Sequence, residues 1–234
     1  SIAVMIGIND YRNGIPPLAT PVDDARQLAQ CLADDHGYET YLLVEDVTRQ
    51  GVTIFFTQTL VQEITRADRL LVYFAGHGIA LDGDDGPQGY LILQDARAEE
   101  RSTFLPMTEF HGWLDALDCR HLLAILDCCF AGAFRWAGTR HLQPLPDRIY
   151  KERYDRFIRD SAWQVLTSAA YDQKALDILA GQVVGERGVS GADGQRHSPF
   201  ALALLAALAG AGDLIPKGQG DGVMTATELY LYLR

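Results

Sequence analysis

Cationic charge is scarce in this chain. Its 234 residues carry 20 Lys and Arg against 31 Asp and Glu, a formal net charge of -11. That balance disfavours non-specific binding to nucleic acid and mildly favours basic partners or substrates. Long apolar runs are also missing. None reaches the roughly 20 residues needed to span a bilayer, so no membrane partner is expected. No secretory signal pattern opens the sequence. Cysteine is sparse: Cys31, Cys119, Cys128 and Cys129 make four in all. Four in a chain of this length do not make a disulfide framework, and adjacent Cys128 and Cys129 are poor geometry for a structural bridge. A reducing, cytoplasmic compartment is the better fit. Internal repeats, low-complexity linkers and zinc-ligand spacings are absent too.

What remains is the pattern of one globular α/β domain. Hydrophobic residues make up 48% of the chain, enough for a sizeable core. Strands are expected at residues 3–8, 38–44, 69–75, 90–93, 121–126, 163–167 and 175–179. Helices are expected at 52–64, 108–117 and 198–209, with a last one from Thr225. A further helix opens at Thr20-Pro21, with Thr20 as N-cap, Pro21 at the first helical position and Asp23-Asp24 in the first turn. Strands alternating with helices imply a mostly parallel sheet covered on both faces. Residues 134–160 are the least regular and hold seven of the basic residues, among them Arg135, Arg140 and Arg148. A second glycine-rich loop covers 181–195. The chain starts close to a strand and ends inside an apparent helix, which reads as a fragment of a longer protein.

Two apolar runs end in reactive side chains. Leu70 to Ala75 leads into Gly76-His77-Gly78, and Leu122 to Leu126 leads into Asp127-Cys128-Cys129-Phe130-Ala131-Gly132. Continuous apolar runs of this length suit buried parallel strands, and open α/β sheets carry their sites at the carboxyl edge of such strands. A thiol needs a nearby base to become a thiolate, and imidazole is the usual one. Strand alternation turns Cys128 towards the core, on the face opposite its neighbours. The glycines around His77 allow tight backbone bending near a substrate. The other histidines, His36, His111, His121, His141 and His197, lack such a setting and read as surface or capping residues.

These pieces together resemble the caspase-like cysteine peptidases, most closely their prokaryotic and metacaspase branch. The resemblance rests on Val4-Met5-Ile6-Gly7-Ile8-Asn9, Tyr73 to Gly78, Asp127 to Gly132, Gln164 to Ala170 and His197-Ser198-Pro199-Phe200, in the family's order over nearly the whole chain. It implies a caspase-like three-layer αβα sandwich with a mostly parallel central sheet. It implies a large-subunit-like portion over about 1–134, a connecting segment at 135–160 and a small-subunit-like portion over about 161–234. It makes Cys129, two residues after the aspartate, the nucleophile and His77 the general base, with the backbone N–H groups of Gly78 and Cys129 as oxyanion donors. Caspases hold an acidic side chain before the scissile bond, whereas metacaspases accept Arg or Lys through acidic residues. Asp127 stands at the metacaspase acidic position, and Asp24 aligns with a second. Ala75 takes the third pocket position, where a serine is usual, and so removes a hydroxyl. Without the resemblance, Asp24 reads as stabilising a helix N-terminus and Asp127 as a strand-end carboxylate bonded to backbone.

The expected activity is therefore a cysteine endopeptidase cutting after Arg or Lys, regulated by domains of the same chain outside this fragment. By resemblance alone, some prokaryotic relatives act in cell death or defence. A catalytically silent interaction module and a same-clan protease of non-basic specificity are the rivals. No cofactor is expected. Calcium dependence stays open, because metacaspases often build a calcium site from acidic loop residues. Asp82, Asp84 and Asp85 lie in such a loop but do not match its ligands one by one. Asp221-Gly222 with Glu228 fits the second half of an EF-hand loop. Lys217 and Gln219 spoil the first half, and a Thr225–Glu228 capping box explains the segment without metal.

Overall fold

Alternate residues of the central strands enter different cores, and that division sets the layers. The computed structural model describes residues 1–81, 88–128, 162–168, 196–215 and 220–233. Its main sheet has the order β2-β1-β3-β7-β8, with β1 at Ile2–Gly7, β2 at Glu39–Leu43, β3 at Arg69–Ala75, β7 at His121–Asp127 and β8 at Ala162–Thr167. All its pairings are parallel. On one face Val4, Ile6, Val72, Phe74, Ala124, Leu126 and Cys128 pack with Val52, Phe56, Leu60, Phe110 and Leu114. On the other, Ala3, Met5, Leu71, Tyr73, Ala75 and Ile125 pack with Leu28, Leu32, Leu204 and Leu229.

The helices follow from these faces. The first core is covered by α2 (Arg49–Ile54), α3 (Leu60–Glu63) and α4 (Met107–Asp115). The second is covered by α1 (Pro21–His36), α5 (Pro199–Ala206) and α6 (Ala226–Leu233). Two helical layers around a parallel sheet give the expected three-layer αβα sandwich. A small antiparallel sheet, β4 (Gly78–Leu81), β5 (Gln88–Leu91) and β6 (Leu105–Pro106), follows the histidine motif. Among the described residues no helix is long and apolar enough to cross a membrane.

Several details differ from the sequence reading. The helix expected at 52–64 widens into a π-helical turn at Phe55–Thr59 between α2 and α3. Beside this turn, Thr53 and Thr57 donate their hydroxyls to the carbonyls of Arg49 and Thr53, four residues back, a bond that bends helices. The strand expected at 90–93 sits at Gln88–Leu91 instead, and its partners β4 and β6 were not expected at all. Thr20 is the N-cap residue of α1, but its hydroxyl does not cap the first turn. Asn9 does so from the end of β1, its Oδ1 accepting from the Val22 N–H at 2.9 Å. Gly7 is needed there as well: a Cβ on it would stand 2.3 Å from the Pro21 carbonyl oxygen. The expected strand at 175–179, the loop at 181–195, the segment 134–160, Asp82, Asp84, Asp85, Cys129, His141, Lys217 and Gln219 lie outside the described residues.

Candidate active site

β3 is buried from Leu70 to Ala75, and the chain turns at its carboxyl end. Gly76 donates its N–H to the Asp127 carbonyl at 3.4 Å, tying the end of β3 to the end of β7. A side chain at 76 would crowd the Tyr11 hydroxyl, which lies 2.8 Å from where its Cβ would stand and would have to shift. That hydroxyl accepts the His77 backbone N–H at 2.7 Å. The Tyr11 and His77 rings lie 4.8 Å apart, tilted by 43°. On the imidazole itself, Nε2 is 2.8 Å from the Pro16 carbonyl oxygen. The loop after β1 therefore holds His77 at three points. The loop is itself fixed by Arg12 N–H to the Gln94 carbonyl and Leu18 N–H to the Asn9 carbonyl, both at 2.8 Å.

This geometry decides the tautomer. A carbonyl only accepts, so Nε2 carries the proton and Nδ1 keeps its lone pair. Burial pushes the imidazole below the ordinary histidine value, and the Pro16 hydrogen bond opposes that only in part. A neutral imidazole with a basic Nδ1 is a competent proton acceptor at neutral pH. Gly78 follows as the first residue of β4.

The adjacent strand brings the second motif to the same edge. β7 pairs with β3 so that Ala75 lies opposite Asp127. Cys128 is 1% exposed and belongs to the core with Leu126 and Phe74, the face that strand alternation assigns it. The Asp127 carboxylate turns to the other face. Its Oδ2 accepts from the Ser198 hydroxyl at 2.9 Å and from the Tyr73 hydroxyl at 3.3 Å. Ala75 has no hydroxyl to offer its neighbour, and one arrives instead from Ser198 at the head of α5. There the same hydroxyl also accepts the Ala201 N–H at 3.0 Å and caps the helix.

Asp24 joins this group from α1. It is fully buried rather than lying on the helix surface. His197 Nδ1 stands 2.7 Å from its Oδ1, and the Ser198 N–H is 3.3 Å from each of its oxygens. Burial pushes the Asp24 carboxyl up to about 7; the hydrogen bonds from His197 and Ser198 work against that rise, and the charge of Asp127 adds to it. His197 corrects the sequence reading of it as a surface or capping residue: it is 1% exposed and paired with a carboxylate. The structure thus assembles Asp24, Asp127 and Ala75 at one edge of the sheet. It adds Ser198, His197, Tyr73, Tyr11 and Pro16, none of which has a site role in the sequence reading. The ordered piece His197-Ser198-Pro199-Phe200 was the one available signal for two of them.

Among the described residues no group of three or more His, Cys, Asp or Glu side chains is arranged to hold a metal. The carboxylates of the EF-hand-like segment, and Asp213 before it, are taken up by backbone N–H groups, with Asp221 accepting from Val223 at 2.9 Å. Asp213 accepts from the Asp221 and Gly222 N–H groups, and Glu228 accepts from Leu214, Ile215 and Thr225. Thr225 and Glu228 form the capping box in both directions.

The caspase domain family model matches residues 1–219. No curated protein matches the chain. Among solved structures it is similar to a structural-genomics protein of Geobacter sulfurreducens, at 19% identity over 88% of this chain and 80% of that one, with a TM-score of 0.56. It is also similar to caspase-1 from Spodoptera frugiperda, at 15% identity over 99% of this chain and 74% of that one, TM-score 0.59. A third match is pro-sf-caspase-1, at 14% identity over 99% and 75% of the two chains, TM-score 0.52. At such identities these structural likenesses speak for the fold.

Proposed function

The chain belongs to the caspase-domain family of cysteine peptidases, and on that premise we propose that it is an endopeptidase that uses a His77–Cys129 dyad and cuts after Arg or Lys. The observation that carries the dyad is the register of β3 and β7. Ala75 pairs with Asp127, and in the sequence His77 and Cys129 each follow those paired strand ends by two residues. His77 is held with its Nδ1 lone pair available, as a base for a thiol must be.

In the proposed reaction the Cys129 thiol gives its proton to His77 Nδ1. The thiolate then attacks the scissile carbonyl carbon. The negative charge that develops on the carbonyl oxygen is met by the N–H groups of Gly78 and Cys129. As the tetrahedral intermediate collapses, His77 returns the proton to the leaving amine, and a thioester remains. Water hydrolyses the thioester, losing its proton to His77, and the thiol is regenerated. No cofactor enters these steps.

The basic preference is supported by the carboxylate of Asp127 at the carboxyl edge of the sheet, linked through Ser198 to a second carboxyl group, Asp24. A positional library of peptides, run with and without calcium, tests the reading. Cleavage after Arg or Lys is expected, lost in Cys129→Ala and His77→Ala and retained in Cys128→Ala. Preference for Asp before the scissile bond, or full turnover by Cys129→Ala, would refute it.

A further inference from the structure

The proposed pocket holds two carboxylates in different settings. Asp127 is 8% exposed, whereas Asp24 is at 0%. Asp24 is enclosed by hydrogen bonds from its own chain: His197 Nδ1 at 2.7 Å on Oδ1 and the Ser198 N–H at 3.3 Å from both oxygens. Its partners are as deeply placed, His197 at 1% and Ser198 at 3% exposed. A substrate guanidinium could reach Asp24 only by displacing them. Removing a hydrogen-bond partner from a buried carboxyl group leaves a polar group unsatisfied, a steep cost for a binding event to carry. The residues that satisfy Asp24 are also the ones that lead to Asp127. Ser198 receives its position through its N–H, from Asp24, and gives its hydroxyl to Asp127 Oδ2 at 2.9 Å. Its hydroxyl also caps α5, so the helix head, the two carboxylates and the histidine move together or not at all.

We propose that the His197–Asp24 pair is a brace beneath the basic-residue pocket rather than part of its binding surface, with His197 a positioning residue that acts through Ser198 on Asp127. This rests on the reading of Asp127 as the carboxylate that meets the substrate's Arg or Lys. The brace also accounts for Ala75. Ala75 offers Asp127 no hydroxyl; beside the Tyr73 hydroxyl, a second is supplied from the head of α5, and it serves only while Ser198 is held in place. The pair needs hydrogen-bonding atoms at its two buried positions. It does not need Asp24 to present a charge to the substrate.

The test compares kcat/KM for two peptides that differ only in Arg or norleucine before the scissile bond. The ratio of the two is a readout that general loosening of the fold would not move, because loosening lowers both. In the wild-type enzyme the ratio is high. D127N should reduce it on the order of a hundredfold or more, as expected when one partner of a buried charge pair is removed. H197A should reduce it about tenfold or more, chiefly through KM for the Arg peptide, because the carboxylate is misplaced rather than lost. H197N places an amide N–H near the position of Nδ1 and should restore the ratio. D24N keeps an acceptor for Ser198 and should hold most of it. If H197A does not fold, D24N and H197N decide, since both retain a polar atom at the buried site; thermal melts report folding for each. A ratio that falls in D24N as far as in D127N would make Asp24 a direct ligand and overturn the brace. So would a wild-type ratio in H197A, or failure of H197N to restore it. A wild-type ratio near one refutes the basic pocket and the brace together, whereas a high wild-type ratio with D24N equal to D127N refutes the brace alone.

Discussion

At the scale of single residues, the feature that most favours the proposed thiol activation is the three-point hold on His77. Tyr11 accepts its backbone N–H and lies against its ring, and the Pro16 carbonyl accepts a hydrogen bond from Nε2–H. Tyr11→Phe should keep the ring contact but lose the acceptor. One buried hydrogen bond of this kind is worth about 1 kcal/mol, so kcat/KM should drop by roughly fivefold with melting unchanged within a few degrees. Tyr11→Ala, which also removes the ring, should drop further. A Tyr11→Phe variant equal to wild type would show that the hydroxyl does not help set the imidazole. The pH dependence has a definite sign. Burial lowers the folded-state pKa of His77 below its unfolded value. The neutral imidazole, the form the proposed base needs, therefore persists below the ordinary histidine pKa of about 6.5. The acid limb of kcat/KM against pH should fall below that value. The same shift contributes stability that is fully present above about pH 6.5 and is lost as pH falls through the window down to the folded pKa, because there the unfolded chain binds the proton more readily.

At the scale of elements, close approaches decide as much as apolar pattern. The carboxyl end of β1 meets the first turn of α1 with no room for a side chain at Gly7, where a Cβ would also stand 3.0 Å from the Ala25 Cβ. The obstacle is backbone, which cannot swing away, so Gly7→Ala must push α1 off the sheet. Overpacking of this kind costs about 1–3 kcal/mol. In a domain of this size that is about 2–4 °C in Tm per kcal/mol, measurable by thermal denaturation; an unchanged Tm would mean the junction is loose. Because α1 carries Asp24, the same variant should weaken the Arg-over-norleucine ratio. The strands of the main sheet were readable in the sequence because parallel strands bury both faces and spell continuous apolar runs, as in β3 and β7. β4 and β6 were not, since four and two residues are too few to display a period. The cap of α1 escaped because Asn9, not the adjacent Thr20, supplies the oxygen. The places of His77, Asp127 and Ala75 at strand ends could be read from the apolar runs, whereas pocket roles for Asp127 and Ala75 came only from the family resemblance. His197 could not, because its partner Asp24 lies 173 residues away in the chain, and a lone histidine before Ser-Pro at a helix head looks like a cap.

At the scale of the whole molecule, charge is unevenly distributed. The chain has a net charge of -11, yet residues 134–160, outside the described residues, hold seven Lys and Arg against four Asp and Glu, Asp147, Glu152, Asp155 and Asp160. A protease of the proposed basic specificity would carry within its own chain a dense supply of its substrate. The segment begins five residues after Cys129, so tethering gives it a high effective concentration near the thiol. It also coincides with the boundary the family resemblance draws between a large and a small portion of the chain. Cleavage needs extended backbone, which separates the two halves of the segment. Tyr150, Tyr154, Phe157 and Ile158 fall at helical spacing and favour a helix that resists cutting. Arg135, Arg140 and Arg148 precede that stripe, among Gly138, Pro144 and Pro146, which do not sustain a helix. Self-cleavage should therefore fall after Arg135, Arg140 or Arg148 and spare Arg153, Arg156 and Arg159. Active enzyme and the Cys129→Ala variant, incubated side by side and mapped by mass spectrometry, give the answer. The expected result is fragments in the active sample alone, with new termini in the first half of the segment. Equal fragments in both samples would point to a contaminating protease, and termini elsewhere in the chain would rule out this segment as the processing site.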